Sequence, residues 1–327
     1  MSINEKKEFK SIEQQVKYLV ETKNVIYSDN IAEVLSERAY TSIINPYKRL
    51  FVKGKDDNGH VYDGQIEFDK YIELASLDDY FAFQLFKWIS IFERKLKVTL
   101  AYIISSNLSN NGDKEGVSYV KELLEYFNSK DPIHLDNIGL IPLDIIYTKS
   151  GKQVASPALV KTREEFLQEK ILRIGTNEVS SKNNLLKYYQ KNHHKVPFWL
   201  LVHDQTLGEL QVLNGLLRKA LKDEVYLAFH PLKTKVSADN LIKFSGQIEL
   251  LRNVRNIVSH NESIIGFLQN TKTVEIDQFF QLIQLLKTTN GSSIISKANI
   301  PNLDTYIEND FNRKTLQNIT KLFDELI

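Results

Sequence analysis

Arg252, Arg255, Asn256 and His260 are the residues of this 327-residue chain whose types and spacing could do chemistry. A guanidinium can grip an anionic group through two parallel hydrogen bonds. An imidazole changes charge within the working pH range of a cell, so it can take or give a proton. At about 100° per residue, Arg252, Asn256 and His260 fall at i, i+4 and i+8 and form one polar stripe. Arg255 stands roughly 60° from Arg252, towards the apolar side. Two arginines on a helix that must pack need partners or a task. Alone, the set suggests a site for an anion and does not name a function.

The element that must position them is the stretch 237–266. Leu241, Phe244, Ile248, Leu251, Val254 and Val258 recur every three or four residues, the period of one buried helix face. Ser237 suits the N-cap and Asp239 the first turn, where the helix dipole favours an anion. A second long helix is expected over 68–105, where the apolar residues from Tyr71 to Ile103 form a stripe wide enough to pack on more than one side. Glu93 and Arg94 interrupt that stripe, either at its solvent edge or beside a polar site.

The rest of the chain reads as shorter helices and connectors. Two helices fit 9–37. Pro46 breaks the pattern over 40–51, and 53–65, rich in Gly, Asp and Asn, is expected to be a surface loop. A flexible connector over 105–116, a helix over 117–127 and an irregular insert over 131–157 with a small hairpin follow. Helices resume from Thr162 through 183–192 and 197–221, then at 275–287 and 304–327, with 291–301 between the last two. No internal repeat is present. The fold class is all-α, in three regions: 1–67, a helical core over 68–290 carrying an insert at about 105–161, and a C-terminal helix in 291–327.

Composition narrows the classes. Hydrophobic residues make up 42% and charged residues 25%, as in an ordinary globular protein. With no cysteine, disulfides and thiolate metal sites are excluded. A net charge of +1 means that any nucleic-acid binding must use local patches. One such patch is legible: between Val179 and His203 there is no acidic residue, while Lys182, Lys187, Lys191 and Lys195 are interleaved with Tyr188, Tyr189 and the pair His193-His194. Basic groups among aromatic rings suit phosphate contact and base stacking, although a solvated helix face would read the same way. His193-His194 has no carboxylate at ligand spacing, so it reads as a polar loop rather than a metal site. The glycine-rich phosphate loop, HExxH and G-x-S-x-G are absent. No stretch is long and apolar enough to span a bilayer and no signal peptide is evident, so a cytoplasmic location is expected.

With these residues in hand, the chain resembles the Abi-like family of bacterial phage-abortive-infection proteins, which is related to the HEPN superfamily. Four stretches carry the likeness, in order. YTSIINPYKRLF is similar to an aromatic N-x-Y stretch. The long helix contains Ile91, Phe92, Glu93 and Arg94, similar to an "IER" element with one residue inserted. PFWLLVHDQTLGEL resembles a "P-x-W" helix. LRNVRNIVSHNES resembles a closing "LR-x-x-RN-x-x-x-H".

The resemblance implies a HEPN-like helical bundle with additional N- and C-terminal helices and an irregular insert. In it Arg255, Asn256 and His260 match a ribonuclease motif. It implies RNA cleavage without a metal or cofactor, by a dimer whose two motifs meet in one cleft. Two departures stand out. Asn261 replaces the second histidine or other residue that often follows the motif, and Glu262 stands where some HEPN proteins carry a modifiable tyrosine. The second argues against control by tyrosine adenylylation and for another antitoxin, which in some members is a small RNA. On this reading His260 moves the proton, Arg255 steadies the crowded phosphate and Asn256 orients the ring or holds an oxygen. Arg252, Glu93 and Arg94 support, while Lys182, Lys187, Tyr188, Lys191 and Lys195 bind RNA. The alternative is a non-catalytic RNA-binding or scaffold protein on the same fold.

Overall fold

The structure is a computed structural model and describes residues 9–56, 59–62, 64–109, 145–147, 153–155, 171, 173–193, 196–217, 219–271, 273–290 and 313–326. Its fold is all-α, and among the described residues only short strands stand beside the helices. The chain divides into two compact units, 1–88 with 254–327, and 89–253.

The first unit opens with α1 (Ile12–Lys23), held by a reciprocal cap between Ser11 and Gln14. Asn24 ends it in the left-handed region at φ 54°, which asparagine tolerates better than most residues. The strand β1 (Val25–Ile26), α2 (Ile31–Glu37) and α3 (Tyr40–Ile43) follow. Residues 53–65 are not simply the loop expected. β2 (Val52–Asp56) and β3 (Gly59–Tyr62) pair antiparallel, with Asp56 opposite Gly59. The polar composition of the two strands hid them from a reading by apolar alternation. β4 (Ile66–Glu67) pairs parallel with β1.

Next comes α4 (Phe68–Ser109), 42 residues without a glycine or proline to break it. It runs four residues beyond the expected end at Ser105, because Ser106–Ser109 hold no breaker. Phe68, Tyr71, Leu74, Leu77, Phe81, Leu85 and Trp88 are buried at helical spacing in the first unit. Phe92, Leu96 and Leu100 continue the stripe in the second.

In the second unit, β5 (Ile145–Tyr147) and β6 (Gln153–Ala155) pair antiparallel, the small hairpin expected in the insert. The expected helix at 117–127, the separator at 291–301 and most of the helix from Thr162 lie outside the described residues. Beyond the short α5 (Arg173–Gly175) stand α6 (Asn184–His193) and α7 (Phe198–Leu201). Thr206 and Glu209 form a capping box that opens α8 (Leu207–Leu216), and α9 (Lys219–Phe229) follows. Phe92, Phe229 and Phe244 pack ring to ring, with centroids 4.6 Å apart for the first pair and 5.3 Å for Phe229 and Phe244.

The motif helix is α10 (Ala238–Ser259). Ser237 caps it as expected: its hydroxyl accepts from the Asn240 N–H at 3.2 Å, and the Asn240 side chain accepts from the Ser237 N–H at 3.1 Å. Ile248, Leu251 and Val254 are fully buried, each worth about 1.5–3 kcal/mol relative to exposure. The chain closes, back in the first unit, with α11 (Ile264–Asn270), α12 (Thr273–Asn290) and α13 (Arg313–Leu326).

Candidate functional site

A cavity of about 1130 Å³ lies in the first unit, where the end of α10 faces α4 and the α2–α3 segment. Arg255 and His260 both line it, with Ser259, Asn261, Glu262 and Ser263 continuing the same wall. Arg38, Asp78, Asp79, Tyr47, Phe83 and Phe86 are also in its lining. Arg255 is half-buried and His260 exposed, and among the described residues neither side chain makes a hydrogen bond or ion pair. By contrast Arg38 is bound to Asp79. Arg255 is therefore the guanidinium of this cavity left available to an incoming anion.

The backbone explains how His260 comes to stand there. Helix α10 ends at Ser259, and the N–H of Glu262 donates to the Ile257 carbonyl at 2.9 Å across Asn261, whose φ is 55°. That is the six-to-one bond of a Schellman ending, with asparagine in the left-handed position that glycine more often fills. Asn261 thus has a conformational task. Ser263 then caps α11 by accepting from Gly266 N–H at 2.8 Å. His260 is held on a short turn between two capped helix ends.

Asp78 fixes this turn from the other side. It is 4% exposed and lies in the middle of the apolar stripe of α4. Its carboxylate accepts from the Tyr47 hydroxyl at 2.9 Å and from the Ile265 N–H at 2.9 Å, one of the donors that a helix start leaves unpaired. Burial pushes the carboxyl up to about 6, despite the opposing hydrogen bonds from Ser263, Ile265 and Tyr47. Burial, together with the Asp78 charge, also raises the Tyr47 phenol far above its ordinary range. Tyr47 is the tyrosine of the N-x-Y stretch, but no spacing ties it to the motif, and the only signal for Asp78 is one carboxylate on an otherwise apolar helix face.

The other residues singled out in the sequence fall elsewhere. Asn256 is exposed and does not line the cavity; its backbone carbonyl accepts from the His260 N–H at 3.0 Å. Arg252 reaches Asn253 at 3.4 Å, its stem lies against Gly208, and its charge opposes the upward push that burial exerts on Glu249. Glu93 pairs with Lys97 at 3.0 Å, and neither Glu93 nor Arg94 lines the cavity. Lys182, Lys187, Tyr188 and Lys191 are exposed on or beside α6 in the second unit, and Lys195 lies outside the described residues. Among the described residues no group of three His, Asp or Glu side chains could hold a metal ion, and no helix is long and apolar enough to cross a membrane.

An all-helical chain with an Arg/His wall at the end of a core helix defines a class that sequence comparison then narrows. The chain belongs to the Abi-like protein family, whose model matches residues 33–266. That span contains every residue lining the cavity. Membership suggests a role in abortive-infection defence against phage. No curated protein and no solved structure matches the chain.

Proposed function

We propose that the protein is a metal-independent endoribonuclease of the HEPN type, acting as a toxin in abortive infection and held in check by an antitoxin, for which a small RNA is a candidate. The observation that carries this reading is the shared cavity of Arg255 and His260, neither engaged by another side chain among the described residues. RNA brings its own nucleophile. The 2′-oxygen bonds to phosphorus, the bond from phosphorus to the 5′-oxygen breaks, and the products end in a 2′,3′-cyclic phosphate and a 5′-hydroxyl. The protein has to take one proton from the 2′-hydroxyl, give one to the leaving oxygen and steady the extra charge on the phosphate.

His260 serves the proton transfers, and Arg255 the charge on the non-bridging oxygens, which a planar guanidinium can hold through two bonds. His260 is the one imidazole among the described residues lining the cavity, which leaves one of the two transfers uncovered. A homodimer in which a second His260 faces the same phosphate supplies the other, and we expect the active species to be that dimer. Phe83 in the cavity lining is 66% exposed and offers a ring to a base next to the scissile phosphate. Asn256 has a lesser part than its place in the motif implies, since it stands outside the cavity.

A second reading has its own support. Glu37, Asp79 and Glu262 also line the cavity and oppose a polyanion, while exposed lysines and aromatics stand on α6. An RNA-binding scaffold that uses Arg255 only to grip would fit these features. Expression in bacteria separates the two: the nuclease reading expects growth arrest with the wild-type chain and none with His260→Ala at equal folded level. Equal arrest by both would remove catalysis by His260.

A further inference from the structure

The carboxylates in the cavity lining pose a problem for any long RNA, because they disfavour tracking a backbone of phosphates. Affinity must come from another surface, and α6 supplies a suitable one. Tyr188 is 58% exposed and Trp199 is 44% exposed, so neither ring is occupied in forming the core. The two are joined through Tyr189, whose ring centroid lies 6.0 Å from that of Tyr188 and 6.2 Å from that of Trp199. Three exposed lysines, Lys182, Lys187 and Lys191, lie on or next to the same helix. None of them makes an ion pair among the described residues.

The helix α6, which carries Tyr188, Lys187 and Lys191, is firmly anchored. Gln190, on its buried face, donates to the carbonyls of Val179 at 2.7 Å and Ile174 at 3.0 Å, and accepts from the Ser181 N–H at 3.0 Å. The Tyr188 ring is therefore presented on a fixed support rather than on a loose loop, which lowers the entropy lost on binding.

We propose that Tyr188 and Trp199, flanked by Lys182, Lys187 and Lys191, form a stacking surface for unpaired RNA, made of residues other than those of the Arg255/His260 cavity. Aromatic faces accept any base whose own faces are uncovered, and lysines without carboxylate partners attract the phosphates between them. A base inside a duplex has both faces covered, so the surface selects single strands. The choice of RNA over DNA rests on the ribonuclease reading; the stacking and the charge do not.

The test uses full-length His260→Ala protein, so that cleavage cannot interfere, and an unstructured RNA oligonucleotide of about 15 residues, near the upper site size of single-strand binders. The chain has two tryptophans, and Trp88 is 3% exposed, so quenching on addition of RNA reports Trp199. We expect quenching by the single strand and much weaker binding of a duplex of equal length. Tyr188→Ala should raise Kd by about fivefold or more, the low end of one base stack. Lys187→Gln with Lys191→Gln should flatten the salt dependence of log K by about 0.7 per lysine. Circular dichroism checks that each variant is folded.

Equal binding of duplex and single strand, or an affinity indifferent to Tyr188→Ala and the lysine pair, would overturn the proposal. So would capture of a protein on this face with no RNA binding. A DNA oligonucleotide bound as well as RNA would keep the stacking surface and remove its preference for RNA. Cleavage of RNA by the wild-type chain is read separately, so loss of this surface would leave the nuclease reading standing.

Discussion

The buried carboxylate of Asp78 accepts a hydrogen bond of 2.9 Å from the backbone N–H of Ile265, 187 residues further along the chain. Through that bond the long helix α4 holds the start of α11, and hence the turn that carries His260. The motif owes its place to a residue outside the motif.

That relationship has a pH signature. The folded carboxyl titrates at about 6, above the ordinary value near 4, so the native state binds this proton more tightly than the unfolded chain does. Its contribution is fully present below about pH 4, is lost as pH rises through about 6, and stays lost above. Two pH units correspond to roughly 3 kcal/mol at most. Asp78→Asn keeps an acceptor for the Ile265 N–H and cannot ionise. Thermal melts should therefore show the variant gaining on the wild type between pH 4 and 7, with no further relative gain at higher pH. A constant difference across that range would mean that Asp78 does not titrate there.

Tyr47→Phe removes one donor from the same carboxylate. We expect a loss of about 1–3 kcal/mol at pH 8, where the carboxylate is charged, and a smaller loss at pH 4.5. Chemical denaturation at the two pH values measures it. An equal loss at both would assign the effect to packing.

Asn261→Val should destabilise by about 1–2 kcal/mol, because a branched residue resists the left-handed turn that ends α10, whereas Asn261→Gly should be close to neutral. Urea midpoints of the two variants make the comparison. If both lose stability alike, the Asn261 side chain matters rather than its backbone.

Within the cavity, Arg255→Ala and His260→Ala should lower cleavage by about a hundredfold or more without shifting the melting temperature, since neither side chain is tied to another among the described residues. Asn256→Ala should change the rate by less than about tenfold, because Asn256 stands outside the cavity. A larger loss with Asn256→Ala would mean that the site reaches beyond the cavity wall.

Much of this fold is legible in the sequence because the long helices announce themselves. Residues from Tyr71 to Ile103 and from Leu241 to Val258 repeat every three or four positions, and Ser237 marks where the motif helix begins. The hairpin at 52–62 was hidden because its strands carry Lys, Gly, Asp and His rather than alternating apolar residues. The extra turn of α4 was hidden because a Ser/Asn-rich run resembles a connector until neighbouring helix extends through it. At the site, spacing picked out Arg255 and His260, five residues apart, the first in the last turns of α10 and the second just past its end. Arg38, Tyr47 and Asp78 come from distant parts of the chain, and no local period links them to the motif. Asn256 shows the reverse: a place in the motif did not give it a place in the cavity.

The central claim is tested most directly by incubating end-labelled RNA with purified full-length protein in excess chelator, beside folded His260→Ala. The account predicts wild-type fragments ending in 2′,3′-cyclic phosphate and about a hundredfold less cleavage by the variant. Intact RNA with the wild-type protein, or equal cleavage by both, would contradict it.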